Sequence, residues 1–182
     1  MINTYKLKLT ILQQEILSLL CRKAGSVLNQ RQIANFLGVS PPAIMKALPN
    51  LEKLEGVILK QDKDSKRWEI ELNRNNRRIM QLKRVENLRQ VYESGLADFL
   101  EQVCAGASII LFGSYSRGDD TIRSDIDIAV VGRKVKKMDV SKYEKVLEKP
   151  IRINFYKSWS KIHKNLKENL CSGIILAGGV EL

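Results

Sequence analysis

Residues 113–127, GSYSRGDDTIRSDID, combine the side chains and the spacing that phosphate and metal chemistry needs. Gly113 and Ser114 follow an apolar run, Ala107–Phe112 (ASIILF), and a second apolar run, Ile128–Val131, follows Asp127. Apolar runs bounded by glycine and polar residues read as buried strands. A Gly-Ser pair that leaves a strand and opens a short helical segment suits a phosphate, because its N–H groups point outward and the helix dipole favours an anion. Gly113 lets a ligand approach the backbone, and Ser114 offers a hydroxyl. Asp125 and Asp127 are two apart on a predicted strand, so both carboxylates leave the same face. Two carboxylates beside a phosphate cradle can hold Mg²⁺ or Mn²⁺.

The Gly-Ser pair and the tetrad Ser124-Asp125-Ile126-Asp127 resemble the nucleotidyltransferase superfamily of DNA polymerase beta. The phrase LFGSYSRGDDTIRSDIDIAVV is similar to its small members, the minimal nucleotidyltransferases, and the resemblance covers residues 105–180. It implies that Gly113 and Ser114 cradle the β and γ phosphates of a nucleoside triphosphate. It implies that Asp125 and Asp127 hold Mg²⁺ while a hydroxyl acceptor takes the nucleoside monophosphate. Arg117 and Arg123 are candidates to pair with phosphate oxygens. Active members of the superfamily carry a third carboxylate on a neighbouring strand. Here that strand is Ile151–Tyr156 (IRINFY), in which Ile151, Ile153 and Phe155 alternate with Arg152, Asn154 and Tyr156. The expected aspartate falls on Asn154. An amide brings no charge and cannot act as a base. Two readings follow: a DNA-binding nucleotidyltransferase, or a catalytically weak or inactive transcription regulator whose transferase-like domain binds nucleotide or a partner protein.

The elements before this stretch carry their own signals. Thr10 and Gln13 make a capping box, and Leu12, Ile16, Leu19 and Leu20 recur at helical spacing. Asn29 caps a second predicted helix with Ile33, Ala34 and Leu37 inside, and Gly38 ends it. Ser40-Pro41 starts a third, with Ile44, Leu48 and Leu51 buried. The segment IANFLGVS resembles a helix-turn-helix, and Val57–Lys60 with Trp68–Leu72 read as a two-stranded wing around the turn Asp62–Ser65. The resemblance to winged helix-turn-helix domains covers residues 8–73. It implies that Pro41, Pro42, Met45 and Lys46 face the groove of double-stranded DNA, and that Lys60, Lys63, Lys66 and Arg67 line the wing and meet phosphates. Pro49 predicts a short or kinked third helix, since proline removes a helical hydrogen bond.

Val85, Leu88, Tyr92, Leu96, Phe99 and Val103 recur at steps of three or four and predict one long amphipathic helix, bent at Gly95. Arg74, Arg77, Arg78, Lys83 and Arg84 crowd its start. This segment is expected to link the domains; its stripe suits the seam of a homodimer, or equally packing on its own chain. Later elements are a basic loop at 132–137 (GRKVKK), a helix over 139–147 and a helix over 158–170 with Trp159, Ile162 and Leu166 inward. The expected architecture is α/β (α+β). It comprises a winged helix-turn-helix at 1–73, a linker helix at 74–104, and a minimal nucleotidyltransferase fold with a small mixed sheet at 105–182.

Composition agrees with anionic partners. The net charge of +11 divides into +4 for residues 1–73 (11 basic, 7 acidic), +2 for 74–104 (6 and 4) and +5 for 105–182 (14 and 9). A basic excess spread along the whole chain favours anionic partners: nucleic acid, nucleotides or an acidic membrane. Cys21, Cys104 and Cys171 fit no disulfide or metal spacing and suit a reducing compartment. Cys104 and Cys171 are expected to pack as small apolar residues. His163 reads as a surface residue. No signal pattern or membrane-length apolar run occurs, so a soluble cytoplasmic protein with no membrane partner is expected.

Overall fold

Caps and apolar spacing set the N-terminal elements as the sequence predicts. The computed structural model describes residues 8–64 and 66–179. Ser65 of the wing turn and the ends of the two outer expected domains, 1–7 and 180–182, lie outside the described residues. The chain divides into two compact units, Met1–Ile79 and Met80–Leu182.

In the first unit, α1 spans Ile11–Arg22 behind the full Thr10–Gln13 capping box. Helix α2 spans Gln30–Leu37, opened by an Asn29–Gln32 capping box and closed by Gly38 in the left-handed region. Helix α3 spans Pro41–Lys53. Ile16, Leu20, Ile33, Ala34, Ile44, Leu48 and Leu51 form the buried side of the three helices. Strands β1 (Val57–Gln61) and β2 (Trp68–Leu72) pair antiparallel as the wing, and Leu28 adds a bridge to Ile70. Pro49 does not shorten α3. The helix runs on to Lys53 because Leu48 and Leu51, on either side of the proline, are both buried. That burial offsets the hydrogen bond lost at Pro49.

Residues 74–104 form two helices rather than one. Helix α4 spans Arg77–Glu93 and α5 spans Leu96–Val103, with Gly95 between them at φ 75°. Few residues other than glycine adopt that backbone. The buried face of α4 also departs from the apolar stripe. Val85 and Tyr92 are exposed, while Lys83, Asn87 and Val91 are buried. The reason is polar pairing beneath the helix, described below.

The second unit is built on a mixed four-stranded sheet, in the order β5-β4-β3-β6. Strand β3 (Ser108–Phe112) runs antiparallel to β4 (Ile126–Val131) and to β6 (Ile174–Ala177), while β4 runs parallel to β5 (Ile151–Tyr156). The short helix α6 (Gly113–Arg117) leaves β3, and α7 (Ser141–Leu147) makes the crossover to β5. One face of the sheet packs on α5 and α7 through Leu96, Leu100, Ile109, Leu111, Ile128, Val130 and Tyr143. The other face carries Ile110, Ala129, Val131, Ile162 and Leu170.

The helix predicted over 158–170 is interrupted. A 3-10 turn, Trp159–Lys161, precedes α8 (Lys164–Cys171), with Ile162 extended between them. Ile162 is buried, and Trp159 and Leu166 pack against the same cluster, so the inward residues hold although the element breaks. Cys104 is buried, but Cys171 is exposed, against the expectation for it; at the end of α8 its neighbour Leu170 takes the inward position. Among the described residues no helix is long and apolar enough to cross a membrane.

Candidate functional site

The register of the sheet brings the two motifs together. Phe112, the last residue of β3, pairs with Asp127 near the start of β4, so Gly113 turns directly above the Asp127 side chain. Gly113 has φ 75°, and a methyl group added to it would lie 2.5 Å from Asp127 Oδ2. No side chain fits there, so the backbone itself forms the wall beside the carboxylate. Ser114 is half-buried at the start of α6, where the first helical N–H groups lack intrahelical acceptors. Asp125 lies just before β4 and Asp127 within it, both half-buried. The alternation of a strand directs both carboxylates to one face. Burial first, and then the neighbouring Asp125 charge, push the Asp127 carboxyl above its usual range, while Arg152 pulls it back. Mutual repulsion of this kind is what a divalent cation relieves.

Arg152 is a participant that the motif alone does not show. It pairs with Asp127 across the parallel β4–β5 ladder, and its Nη2 lies 2.8 Å from Asp125 Oδ2. Its side chain is 69% exposed. An ion pair that open contributes about 0–1 kcal/mol, so an incoming cation can displace it. Asn154 sits two residues along β5, opposite Ala129, on the face that Arg152 and Asp127 share. Among the described residues no group of three or more His, Cys, Asp or Glu is placed to hold a metal ion. Asp125 and Asp127 are the two carboxylates that could hold a divalent ion here, and any further ligands would have to come from phosphate or water.

Arg117, the last residue of α6, and Arg123 are both exposed. Arg117 Nε is 2.9 Å from Asp119 Oδ2. Arg123 lies in a turn closed by Thr121 and Ser124, whose hydroxyl accepts the Thr121 N–H at 3.0 Å. Ser124 is thus occupied in shaping the loop.

Beneath that loop lies a buried charged cluster. Asp120 is 1% exposed, Lys83 0% and Lys149 5%. Lys83 Nζ donates to Asp120 Oδ1, and Asn87 Nδ2 donates to the same oxygen at 2.6 Å and to the Tyr115 carbonyl at 2.9 Å. Lys149 Nζ lies 3.2 Å from Asp120 Oδ2 but directs its hydrogen bond to the Thr121 carbonyl, so it serves Oδ2 by charge. The Tyr115 hydroxyl is buried without a hydrogen-bond partner, and burial followed by the Asp120 charge pushes its pKa up. Gly118, at φ 82°, brings the loop against α4: a Cβ there would meet the Met80 carbonyl at 2.8 Å. Together these contacts fix the segment that joins Gly113 to Asp125. Lys83 reads in sequence as one of a run of surface cations. Its spacing of four from Asn87, on a face with Val91, is the only sign that it turns inward.

On the winged unit, Pro42 and Lys46 are exposed and Pro41 and Met45 half-buried, and Pro42, Met45 and Lys46 share one side of α3. Lys63, Lys66 and Arg67 are exposed around the wing turn, with Lys66 at φ 56°. Lys60 lies 3.6 Å from Glu71 across the hairpin, so part of its charge is already answered. A polar hollow of about 350 Å³ between the start of α2 and the wing, lined by Asn29, Gln30, Arg31, Gln32, Asn35 and Arg67, adds Arg31 to the basic surface. Arg31 lacks any motif in sequence.

Comparison with known proteins accords with both units. Residues 94–176 match the family model of the nucleotidyltransferase domain, and residues 9–58 that of the winged helix-turn-helix DNA-binding domain. Among solved structures, the adhesin competence repressor (AdcR) from Streptococcus pyogenes is 25% identical, with a TM-score of 0.41, over 53% of this chain and 68% of that one. The S. aureus MepR–DNA complex is 22% identical, with a TM-score of 0.38, over 52% and 78%. A search of curated proteins found no match. The two family models thus place a winged helix-turn-helix match over residues 9–58, ahead of a nucleotidyltransferase-domain match over residues 94–176.

Proposed function

We propose that this is a cytoplasmic DNA-binding regulator whose transferase domain takes a nucleoside triphosphate with Mg²⁺ or Mn²⁺ as a ligand, and transfers nucleotide poorly. The observation that carries the reading is the occupancy of the β5 face. Arg152 pairs with Asp125, and Asn154 follows it, where a third carboxylate would complete a transferase site. The Gly113 turn, Ser114 and the two carboxylates suit a triphosphate and its cation. Among the described residues, no third carboxylate or histidine joins them to take the proton of an attacking hydroxyl. The test is label transfer from a nucleoside triphosphate with Mg²⁺ or Mn²⁺. The wild type is expected to label itself and candidate acceptors weakly, and Asn154→Asp to gain activity. Vigorous transfer by the wild type, abolished by Asp127→Ala, would show instead that two carboxylates suffice and that the chain is an efficient enzyme.

The winged unit supplies the DNA partner in this reading. Affinity for duplex DNA is expected to fall with salt, with a log–log slope of about −0.9 per phosphate neutralised. Lys63→Ala with Lys66→Ala should weaken binding about equally for all sequences and reduce the slope by about 2. Filter-binding or anisotropy titrations over a salt series measure both. Affinity that ignores salt rules out the wing as a phosphate contact.

A further inference from the structure

The end of the sheet remote from Gly113 and Asp127 holds a second, basic surface. There β3 begins at Ser108 opposite Val131, the last residue of β4, and β5 and β6 end there too. Two adjoining clefts open at this end. The first, of about 900 Å³, is lined among others by Ser108, Lys157, Trp159, Lys167 and Gly178. The second, of about 490 Å³, shares Gly132 with it and is lined by Arg133, Lys134, Val135, Lys136 and Phe155 among others.

Among the described residues, no acidic side chain lines either cleft. Among the described residues, Lys134, Lys136, Lys157 and Lys167 form no ion pair with a carboxylate. Their charge is therefore available to a ligand. Arg133 is anchored by donating to the Ala105 carbonyl. Trp159 packs on the Ile110–Ile162 cluster with part of its surface and lines the first cleft with the rest.

We propose that the two clefts form one track for single-stranded nucleic acid. Phosphates would lie along Lys157, Lys167, Lys134 and Lys136, with a base against the Trp159 indole. Volume, charge and continuity each narrow the choice. The first cleft is of the size that holds a nucleotide. The second, on the side of Val103 and Phe155, meets it at Gly132 around the end of the sheet, so a ligand that occupies both is longer than one unit. Uncompensated lysines with an aromatic face beside them are the two parts of sequence-tolerant single-strand binding. The cradle at Gly113 lies at the other end of β3, roughly 14 Å of strand away, so the track is a separate site and stands apart from the triphosphate reading.

The experiment is anisotropy of labelled oligo(dT) and oligo(U), each of about 12 nucleotides, titrated with the full chain at low salt. Saturable binding is expected. Lys134→Glu/Lys136→Glu/Lys157→Glu, all at exposed positions, should lower affinity at least about tenfold and reduce the salt slope by about 2. The wing variant Lys63→Ala/Lys66→Ala should retain single-strand binding. In a Trp68→Phe background, emission from Trp159 should be quenched as the oligonucleotide binds. Absence of binding, unchanged affinity in the triple-glutamate variant, or equal loss in the wing variant overturns the proposal. So does displacement by AMP or polyglutamate as effective as by the oligonucleotide, which would reveal a mononucleotide pocket or simple ion exchange.

Discussion

Asp120→Ala is expected to destabilise the second unit by about 3–5 kcal/mol, the cost of breaking a buried pair by removing one partner. The carboxylate is 1% exposed and lies between two ammonium groups that are themselves 0% and 5% exposed. Alanine removes the carboxylate that both cations face, in a place that water does not reach. It also deprives Asn87 of one of its two acceptors, the other being the Tyr115 carbonyl. Lys83→Met is the milder change, because Asp120 keeps Lys149 and the methionine fills the same volume. Urea unfolding monitored by Trp159 emission, in the Trp68→Phe background, gives the difference as a shift in midpoint at constant slope. A loss below about 1 kcal/mol would mean that the cluster is hydrated and contributes no more than an exposed ion pair.

A nucleoside triphosphate with Mn²⁺ is expected to stabilise the folded protein by about 2.7 kcal/mol at a hundredfold excess over Kd. For a unit of about 100 residues that is a rise in melting temperature of about 10 °C or more. The gain has two sources: the cation removes the repulsion between Asp125 and Asp127, and the triphosphate meets the Gly113 turn. Asp127→Asn should abolish the shift while leaving the unliganded melting temperature unchanged or raised, since the repulsion goes with the charge. Arg152→Ala should strengthen metal binding, because the guanidinium competes for Asp125 Oδ2 at 2.8 Å. A wild-type melting curve indifferent to both metal and triphosphate would reduce the carboxylate pair to a solvated turn.

Local spacing made much of this molecule legible. Thr10 with Gln13, and Asn29 with Gly38 at the far end, placed the first two helices, because caps act within four residues; Ser40 makes no side-chain cap bond, and the third helix starts on the prolines that follow it. The apolar runs around Gly113 and Asp127 placed two strands of the sheet, because buried strands need such runs. What sequence left hidden depends on partners far along the chain. Lys83 turned inward only because Asp120, 37 residues later, is there to meet it. Arg152 faces Asp125 only through the parallel register of β4 and β5, which no local pattern prints. The apolar positions Val85 and Tyr92 looked buried by periodicity and are exposed, since the face between them belongs to that polar cluster.

The ordering of the strands also sets a timetable for assembly. In the wing, Val57 meets Leu72, 15 residues away. In the large sheet, the edge contact of Ile110 with Ile175 spans 65 residues. Closing the longer loop costs more chain entropy before any contact rewards it, and non-local pairing slows folding. The winged unit should therefore acquire its native structure first, with the four-stranded sheet last to close. Trp68 and Trp159 fall one in each unit, so stopped-flow refolding of Trp68→Phe and Trp159→Phe variants separates the two events. The trace that reports Trp159 should lag the one that reports Trp68; coincident traces would mean that the two units fold as a single kinetic body.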